Sequence, residues 1–330
     1  MLLIKVKKVL DKIKILVAFF VALIMLSLCI IVFNKPTEQN NITITPPDIT
    51  METTAIKKGQ TINVNLGDKT VKMDMEEYII CVVAGEIYPT YLPEAIKAQA
   101  VAARTYLMYK ISGGGCNNGG DICTESTHCQ AYKSNEKMLL QWGNNYENYY
   151  SAIKDAVYQT KGEIVKYNGN PICALYHSSS VGKTENCVEV FGGNQPYLQS
   201  VTTTVSEENN EFTKTITFSK QDFLKKVNEA FSTDLKQIDI KIISYTSAGR
   251  VSNLKIGEKT VKATALRKAL GLRSTDFTFE KTQNEITFTM KGYGHGVGLS
   301  QVGAQEMAKE GKNYKEILTH YYTGTVVDKI

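Results

Sequence analysis

The sequence predicts an α+β fold: a mixed core in which helices flank short antiparallel strands, a smaller inserted α/β domain, and one N-terminal transmembrane helix. Three observations point there. Segments that alternate apolar and polar residues, the mark of half-buried strands, are interleaved with stretches of helical periodicity. Between about Val201 and Met290 the pattern changes character and then reverts, as it does when one unit is inserted into another. The run Ile15 to Phe33 holds nineteen residues without a charge, enough at about 1.5 Å per residue to cross a hydrocarbon layer of roughly 30 Å.

Taken in order, residues 1–14 form a basic segment whose Lys5, Lys7, Lys8, Lys12 and Lys14 place the N-terminus in the cytoplasm and everything after Lys35 outside. No small-residue cleavage pattern follows Phe33, so residues 15–33 read as a retained anchor in the cell membrane, crossing it once. Residues 34–60 are rich in Thr and Asn, contain Pro36, Pro46 and Pro47, and read as a flexible tether. Thr61 to Leu66 and Thr70 to Met75 alternate around Gly67-Asp68 and predict a hairpin. The run Met75 to Glu86 predicts a helix that packs Tyr78, Ile79, Val82 and Val83 against a core. A second helix starts at Pro93, whose missing amide suits a first turn, and runs to about Lys110.

A loop from Gly113 to about Lys133 comes next, then a helix near Tyr150 to Thr160. Glu163 to Tyr167 and Pro171 to Tyr176 flank Asn168-Gly169-Asn170 as a second hairpin. Within the insertion the pattern gives a helix near Gln221 to Phe231, strands at Asp239 to Tyr245 and Val251 to Ile256, and a short helix around Leu266 to Leu270. A Gly-rich turn from Gly292 to Gln301 leads into two helices ending near Tyr322. The core is therefore expected from residues 61–200 and 291–330, and the insertion from 201–290.

The first thirty-five residues hold six Lys and one Asp, which accounts for the formal +5 of the whole chain. The outer part is balanced, which argues against a nucleic-acid partner, since that requires a basic patch on the binding domain.

Glu86 closes an apolar helix, so its carboxyl can lie beside apolar surface and still face a groove. Partial desolvation raises a carboxyl pKa, as a general acid needs near neutral pH. Lys97 and Arg104 are seven residues apart on the second helix, share a face, and are expected to point into the same groove. Cys116, Cys123, His128 and Cys129 crowd into one loop and offer the thiolate and imidazole ligands that zinc prefers. Adjacent His128 and Cys129 both ligate only where the backbone turns sharply, so three ligands with an open fourth position is one expectation; a disulfide and free thiols are the alternatives. His177 with Ser178, Ser179 and Ser180, and His295 between two glycines, are candidate substrate contacts.

The runs Glu76 to Glu86, Pro93 to Tyr106, His177 to Asn186, Gly294 to Ala304 and Tyr314 to Gly324 closely resemble the stage II sporulation protein D family, across about Thr61 to Val327. The resemblance implies a membrane-anchored peptidoglycan lytic transglycosylase, a cell-wall lyase acting on peptide-free glycan strands in forespore engulfment, from the mother-cell engulfing membrane. It also implies two partners, a sporulation amidase (stage II sporulation protein P) and a membrane protein (stage II sporulation protein M). Carried over, the catalytic acid falls on Glu86, with Lys97, Arg104, His177, Ser178, Ser179, His295 and Gln301 as groove residues. The Cys116 to Cys129 loop resembles a zinc-binding loop of some members. Two other functions remain open: a zinc-dependent cell-wall hydrolase, and a non-catalytic glycan-binding scaffold that stimulates a partner amidase.

Overall fold

In the computed structural model, which describes residues 60–204 and 212–330, the first hairpin forms as expected. Strands β1 (Thr61–Asn65) and β2 (Thr70–Asp74) pair antiparallel from Thr61 opposite Asp74 to Asn65 opposite Thr70. Asp74 then caps helix α1 (Met75–Glu86), its carboxylate accepting from the backbone of Glu76 at 2.8 Å and of Glu77 at 3.3 Å. That satisfies amides which the first turn of a helix leaves orphaned. Every residue from Tyr78 to Ala84 is buried. The helix is thus enclosed on all sides, where its sequence suggested one buried stripe, and each large apolar side chain contributes roughly 1.5–3 kcal/mol of burial.

Helix α2 (Pro93–Ser112) runs through the middle of the molecule, its many alanines letting neighbouring helices come close. Strand β3 (Ile122–Cys123) adds to β1 in parallel, with Val64 opposite Ile122 and Asn65 opposite Cys123, so the sheet fixes where the cysteine loop begins its return. Helix α3 (Asn135–Trp142), capped by Ser134, precedes α4 (Tyr146–Gln159). Sequence periodicity had given only the second half of this pair, because α3 is short and buries only Met138 and Trp142.

The expected second hairpin is cut short. Strand β4 (Glu163–Tyr167) pairs with only Asn170–Pro171, β5, because Pro171 lacks an amide and the chain then turns through short bonds from Ala174 to Ile172 and from Leu175 to Cys173. The next strand, β6 (Tyr176–His177), is released to pair elsewhere. Strand β7 (Gly182–Lys183), helix α5 (Cys187–Phe191) and strand β8 (Thr202–Thr203) follow, β7 and β8 pairing antiparallel.

The segment expected as an insertion gathers an apolar cluster of its own, from Phe218 to Met290. Strand β9 (Thr213–Ser219) leads into α6 (Lys220–Phe231); β10 (Ile240–Tyr245), β11 (Val251–Ile256) and β12 (Lys259–Lys262) form a meander; α7 (Ala263–Leu270) follows. Strands β13 (Phe277–Lys281) and β14 (Glu285–Lys291) complete a sheet in which β14 is central and pairs with β9. Phe288 sits in its middle, ringed by Phe218, Phe223, Phe277 and Phe279.

The chain re-enters the core through β15 (Leu299–Ser300), which lies parallel to β6 with Leu299 opposite Tyr176 and Ser300 opposite His177. Helices α8 (Gln301–Lys309) and α9 (Tyr314–Tyr321) pack on α2, and β16 (Val326–Lys329) closes onto β4. Among the described residues no helix is long and apolar enough to cross a membrane. The basic segment, the expected anchor at 15–33 and all of the tether but Gln60 lie outside the described residues.

Candidate active site

A cavity of about 770 Å³ opens where the end of α1, the cysteine loop, β6, the turn after α7 and the Gly-rich turn meet. Glu86 lines it and is its only carboxylate among the described residues. One carboxylate oxygen accepts from the Ala131 amide at 2.7 Å and lies 3.4 Å from the Tyr176 hydroxyl, and Gln301 also hydrogen-bonds the group. Burial nevertheless dominates and pushes its pKa above the ordinary carboxyl range, the three hydrogen bonds offsetting only part of that rise. The carbonyl end of α1, which disfavours negative charge, acts in the same direction.

Tyr176 shares its one hydroxyl proton between Glu86 and Gln130 Oε1, the latter 2.8 Å away, and Gln301 is held by donating to Gln99 Oε1 at 3.3 Å. Gln130 and Ala131 directly follow the cysteine loop. Gly85 lets that loop approach, because a Cβ there would stand 3.2 Å from the backbone of Ala131 and Tyr132.

The loop itself gathers four donors. His128 Nδ1 lies 3.4 Å from each of the Cys116, Cys123 and Cys129 sulfurs, and Cys129 is 3.6 Å from Cys116. These atoms all fall within 4.8 Å of one another. Tetrahedral bonds of about 2.3 Å to sulfur and 2.0–2.1 Å to nitrogen require edges of roughly 3.5–3.8 Å, so the set fits a four-coordinate metal. The described cysteines are free thiols, and the expected alternative of a disulfide is not taken. Adjacent His128 and Cys129 both contribute because their amides both turn back onto the Glu125 carbonyl, at 3.0 and 2.7 Å. Four protein donors are thus brought together, enough for a tetrahedral set, where three ligands with an open fourth position was one expectation.

Two histidines form another wall. His177 is buried; its Nδ1 donates to the Val297 carbonyl at 3.2 Å, which leaves Nε2 to accept from the Ser180 hydroxyl at 2.5 Å. Burial holds its pKa well below the usual imidazole value. His295, whose ring centre is 5.7 Å from that of His177, accepts from the Val297 amide at 3.1 Å, and burial lowers its pKa to about 4. Both rings are neutral at physiological pH. Gly294 and Gly298 make the close approach possible: at positive φ, a Cβ on Gly294 would lie 2.8 Å from the His177 Cβ, and one on Gly298 would lie 2.0 Å from the Leu175 carbonyl oxygen.

The family model described as stage II sporulation protein, SpoIID, matches residues 66–167, the stretch that carries Glu86 and the cysteine loop. Over 257 residues the chain is 38% identical to stage II sporulation protein D of Bacillus subtilis (strain 168), an alignment covering 77% of this chain and 74% of that protein. The chain belongs to the stage II sporulation protein D family. The protein of that name from Bacillus amyloliquefaciens is 36% identical over the same shares of both chains. A Bacillus subtilis protein named amidase enhancer is 29% identical over 74% of this chain and 39% of its own length.

Of the residues that the SpoIID resemblance carried into the groove, Glu86, His177, Ser178, His295 and Gln301 line one cavity. Ser179 does not: it is buried and bonded to Tyr293 through its backbone, at 3.0 and 2.9 Å. Lys97 and Arg104 do share a face of α2, but it is the wrong one. Lys97 pairs with Glu94 at 2.7 Å beside Tyr314, and Arg104 is fully buried in an ion pair with Glu76. The face that meets the cavity carries Gln99 and Tyr106, offset by two residues and hence about 200° around the helix.

The cavity's cations come from elsewhere, from Lys133, Arg267 and Arg273. Sequence reading also missed Tyr176, Gln130 and Arg250. The buried Arg250 guanidinium donates to Ser180 Oγ at 2.6 Å, lies 3.5 Å from the Glu185 carboxylate, and occupies space that a Cβ on Gly296 would fill. Glu185 lies in the His177 motif, so an unexplained acid there was the available signal.

Proposed function

We propose that this chain is a membrane-tethered peptidoglycan lytic transglycosylase that acts outside the cell membrane on peptide-free glycan strands during forespore engulfment. The supporting observation is a lone, desolvated carboxyl in a cleft of sugar-binding size and lining. Ordinary glycoside hydrolysis uses two carboxyl groups, one to protonate the leaving oxygen and one to activate water or attack the sugar. Glu86 has no such partner among the described residues of the cavity. A muramic acid ring brings its own nucleophile, the C6 hydroxyl. Protonated Glu86 gives its proton to the bridging oxygen as the C1–O bond to the next sugar breaks; its carboxylate then takes the C6 hydroxyl proton as O6 bonds to C1. The acid is regenerated, no water is consumed, and the product carries a 1,6-anhydro end.

The other groups orient. Tyr176, Gln301 and the Ala131 amide fix the carboxyl, and Tyr88, Tyr91 and Tyr293 add aromatic surface to the cavity lining for contact with sugar. Neutral His177 and His295 present apolar ring surface and keep added positive charge away from the acid. Three thiolates and an imidazole at tetrahedral spacing suit zinc best. Zinc held by Cys116, Cys123, His128 and Cys129 would supply a fixed cross-link that sets Ala131 against Glu86. A four-donor set also speaks against the zinc hydrolase alternative, which needs an open position for water.

The test is digestion of peptide-free glycan strands by the full chain in detergent, with product masses read by mass spectrometry. Products lighter by one water than reducing-end fragments are expected, and Glu86→Gln should lower their rate by about 100-fold or more. Reducing ends, or undiminished cleavage by Glu86→Gln, would overturn the reading. The likeness to the protein named amidase enhancer favours a second reading, a glycan-binding scaffold that stimulates a partner amidase; that protein would bind strands and release no fragments.

A further inference from the structure

The cavity contains more positive charge than its acid can use. Lys133, Arg267 and Arg273 line it, and among the described residues none of the three is within ion-pair distance of a carboxylate. Arg273 stacks its guanidinium 4.6 Å over the Tyr293 ring, and its side chain makes no hydrogen bond among the described residues. Arg267 spends only Nε, on the Leu272 and Arg273 carbonyls at 3.1 and 3.2 Å, so its two terminal nitrogens remain available. Removing a cation from water without a counter-charge is unfavourable; burial already lowers the pKa of both Arg267 and Lys133. Glu86 is held by hydrogen bonds and forms no ion pair with any of these cations among the described residues. What completes them is an anion brought by the ligand.

On the transglycosylase reading, the ligand carries one. Each muramic acid bears a lactyl group whose carboxyl is a neutral amide while a stem peptide is attached and a free carboxylate once it is removed. A planar guanidinium matches a carboxylate through two parallel hydrogen bonds, and stacking on Tyr293 fixes the plane of Arg273 in advance. We propose that Arg273 and Arg267, both contributed by the inserted segment, bind the lactyl carboxylate and so select strands from which the peptides have been removed. The insertion is then a specificity wall on a cleft whose acid belongs to the core. Lys97 and Arg104, the cations expected in the groove, are spent on Glu94 and Glu76.

The test is binding by the full-length Glu86→Gln chain in detergent, which holds the cleft but lacks the acid. Three probes of equal length are titrated: peptide-free glycan strands, the same strands with lactyl carboxylates converted to methylamides, and chito-oligosaccharides. The free-carboxylate strands should bind about tenfold tighter than the other two, the advantage of one charge-assisted contact. The advantage should shrink with salt, vanish on adding Arg273→Gln, and survive in part with Arg273→Lys, which keeps the charge and loses the fork. Equal binding of free and amidated strands, or an advantage that persists in Arg273→Gln, overturns the proposal. The comparison of probes uses Arg273 and Arg267 unaltered, so misfolding of an arginine variant does not blunt it. Anhydro products without carboxylate preference would refute this inference alone, and carboxylate preference without anhydro products would refute the transglycosylase reading alone.

Discussion

Replacing Arg104 with Met is expected to unfold the protein more readily and not to act on the cleft. Arg104 Nε lies 3.1 Å from both oxygens of Glu76, and one terminal nitrogen lies 2.5 Å from Oε2. Two further donors go to the Glu163 and Val157 carbonyls at 3.1 and 3.2 Å, while Gly162 donates to Glu76 Oε1 at 3.2 Å. The pair joins α1, α2, α4 and β4 with its charges excluded from water. Removing one partner strands the other, at a cost of about 3–5 kcal/mol. For a unit of this size each kcal/mol lowers the melting temperature by about 2–4 °C, so a fall on the order of 10 °C is expected. Glu76→Leu should cost about as much, and the double variant less than the sum, because two matched apolar side chains leave no orphaned charge. The assay is thermal unfolding of the four proteins of this cycle beside glycan cleavage per folded molecule. An Arg104→Met chain that melts with the wild type yet cleaves no glycan would refute the structural assignment and return Arg104 to the groove.

Stripping the metal, or Cys116→Ser, should lower the melting temperature and weaken glycan cleavage together, since Ala131 loses its fixed approach to Glu86; one metal ion per chain by elemental analysis is the companion measurement, and full stability and activity after complete chelation would refute it. His295 is bound neutral with a pKa of about 4, below its unfolded value, so its contribution is present above about pH 6.5 and is lost as the pH falls towards 4. The melting-temperature advantage of wild type over His295→Gln should therefore shrink across that window, and an advantage that grows on acidification would show the ring to be held charged.

Local signals carried much of this protein. The alternation on either side of Gly67-Asp68, the Pro93 start of α2 and the apolar run ending at Glu86 each report a choice the backbone makes within a few residues. The four metal donors were legible because thiol and imidazole chemistry is recognisable wherever it is crowded. The length of β5 was not legible, since the residues after Pro171 are spent on a parallel pairing with a segment more than 120 residues later. Helical phase told that Lys97 and Arg104 point the same way, and could not tell which way, because that depends on what the rest of the chain puts around α2.

By itself, then, the sequence determined the kinds of chemistry present: one acid at the end of an apolar helix, a thiol-rich loop, two histidine motifs and a family likeness. Tertiary structure decided which of these groups meet. It brought Glu86, Tyr176, Gln301, His177 and His295 to one cavity, gathered four donors that could hold a metal, buried Arg104 against Glu76, and drew the cleft's arginines from α7 and just after it. The reason is that residue identity and periodicity are local, whereas desolvation and charge pairing depend on neighbours that only the closed chain supplies.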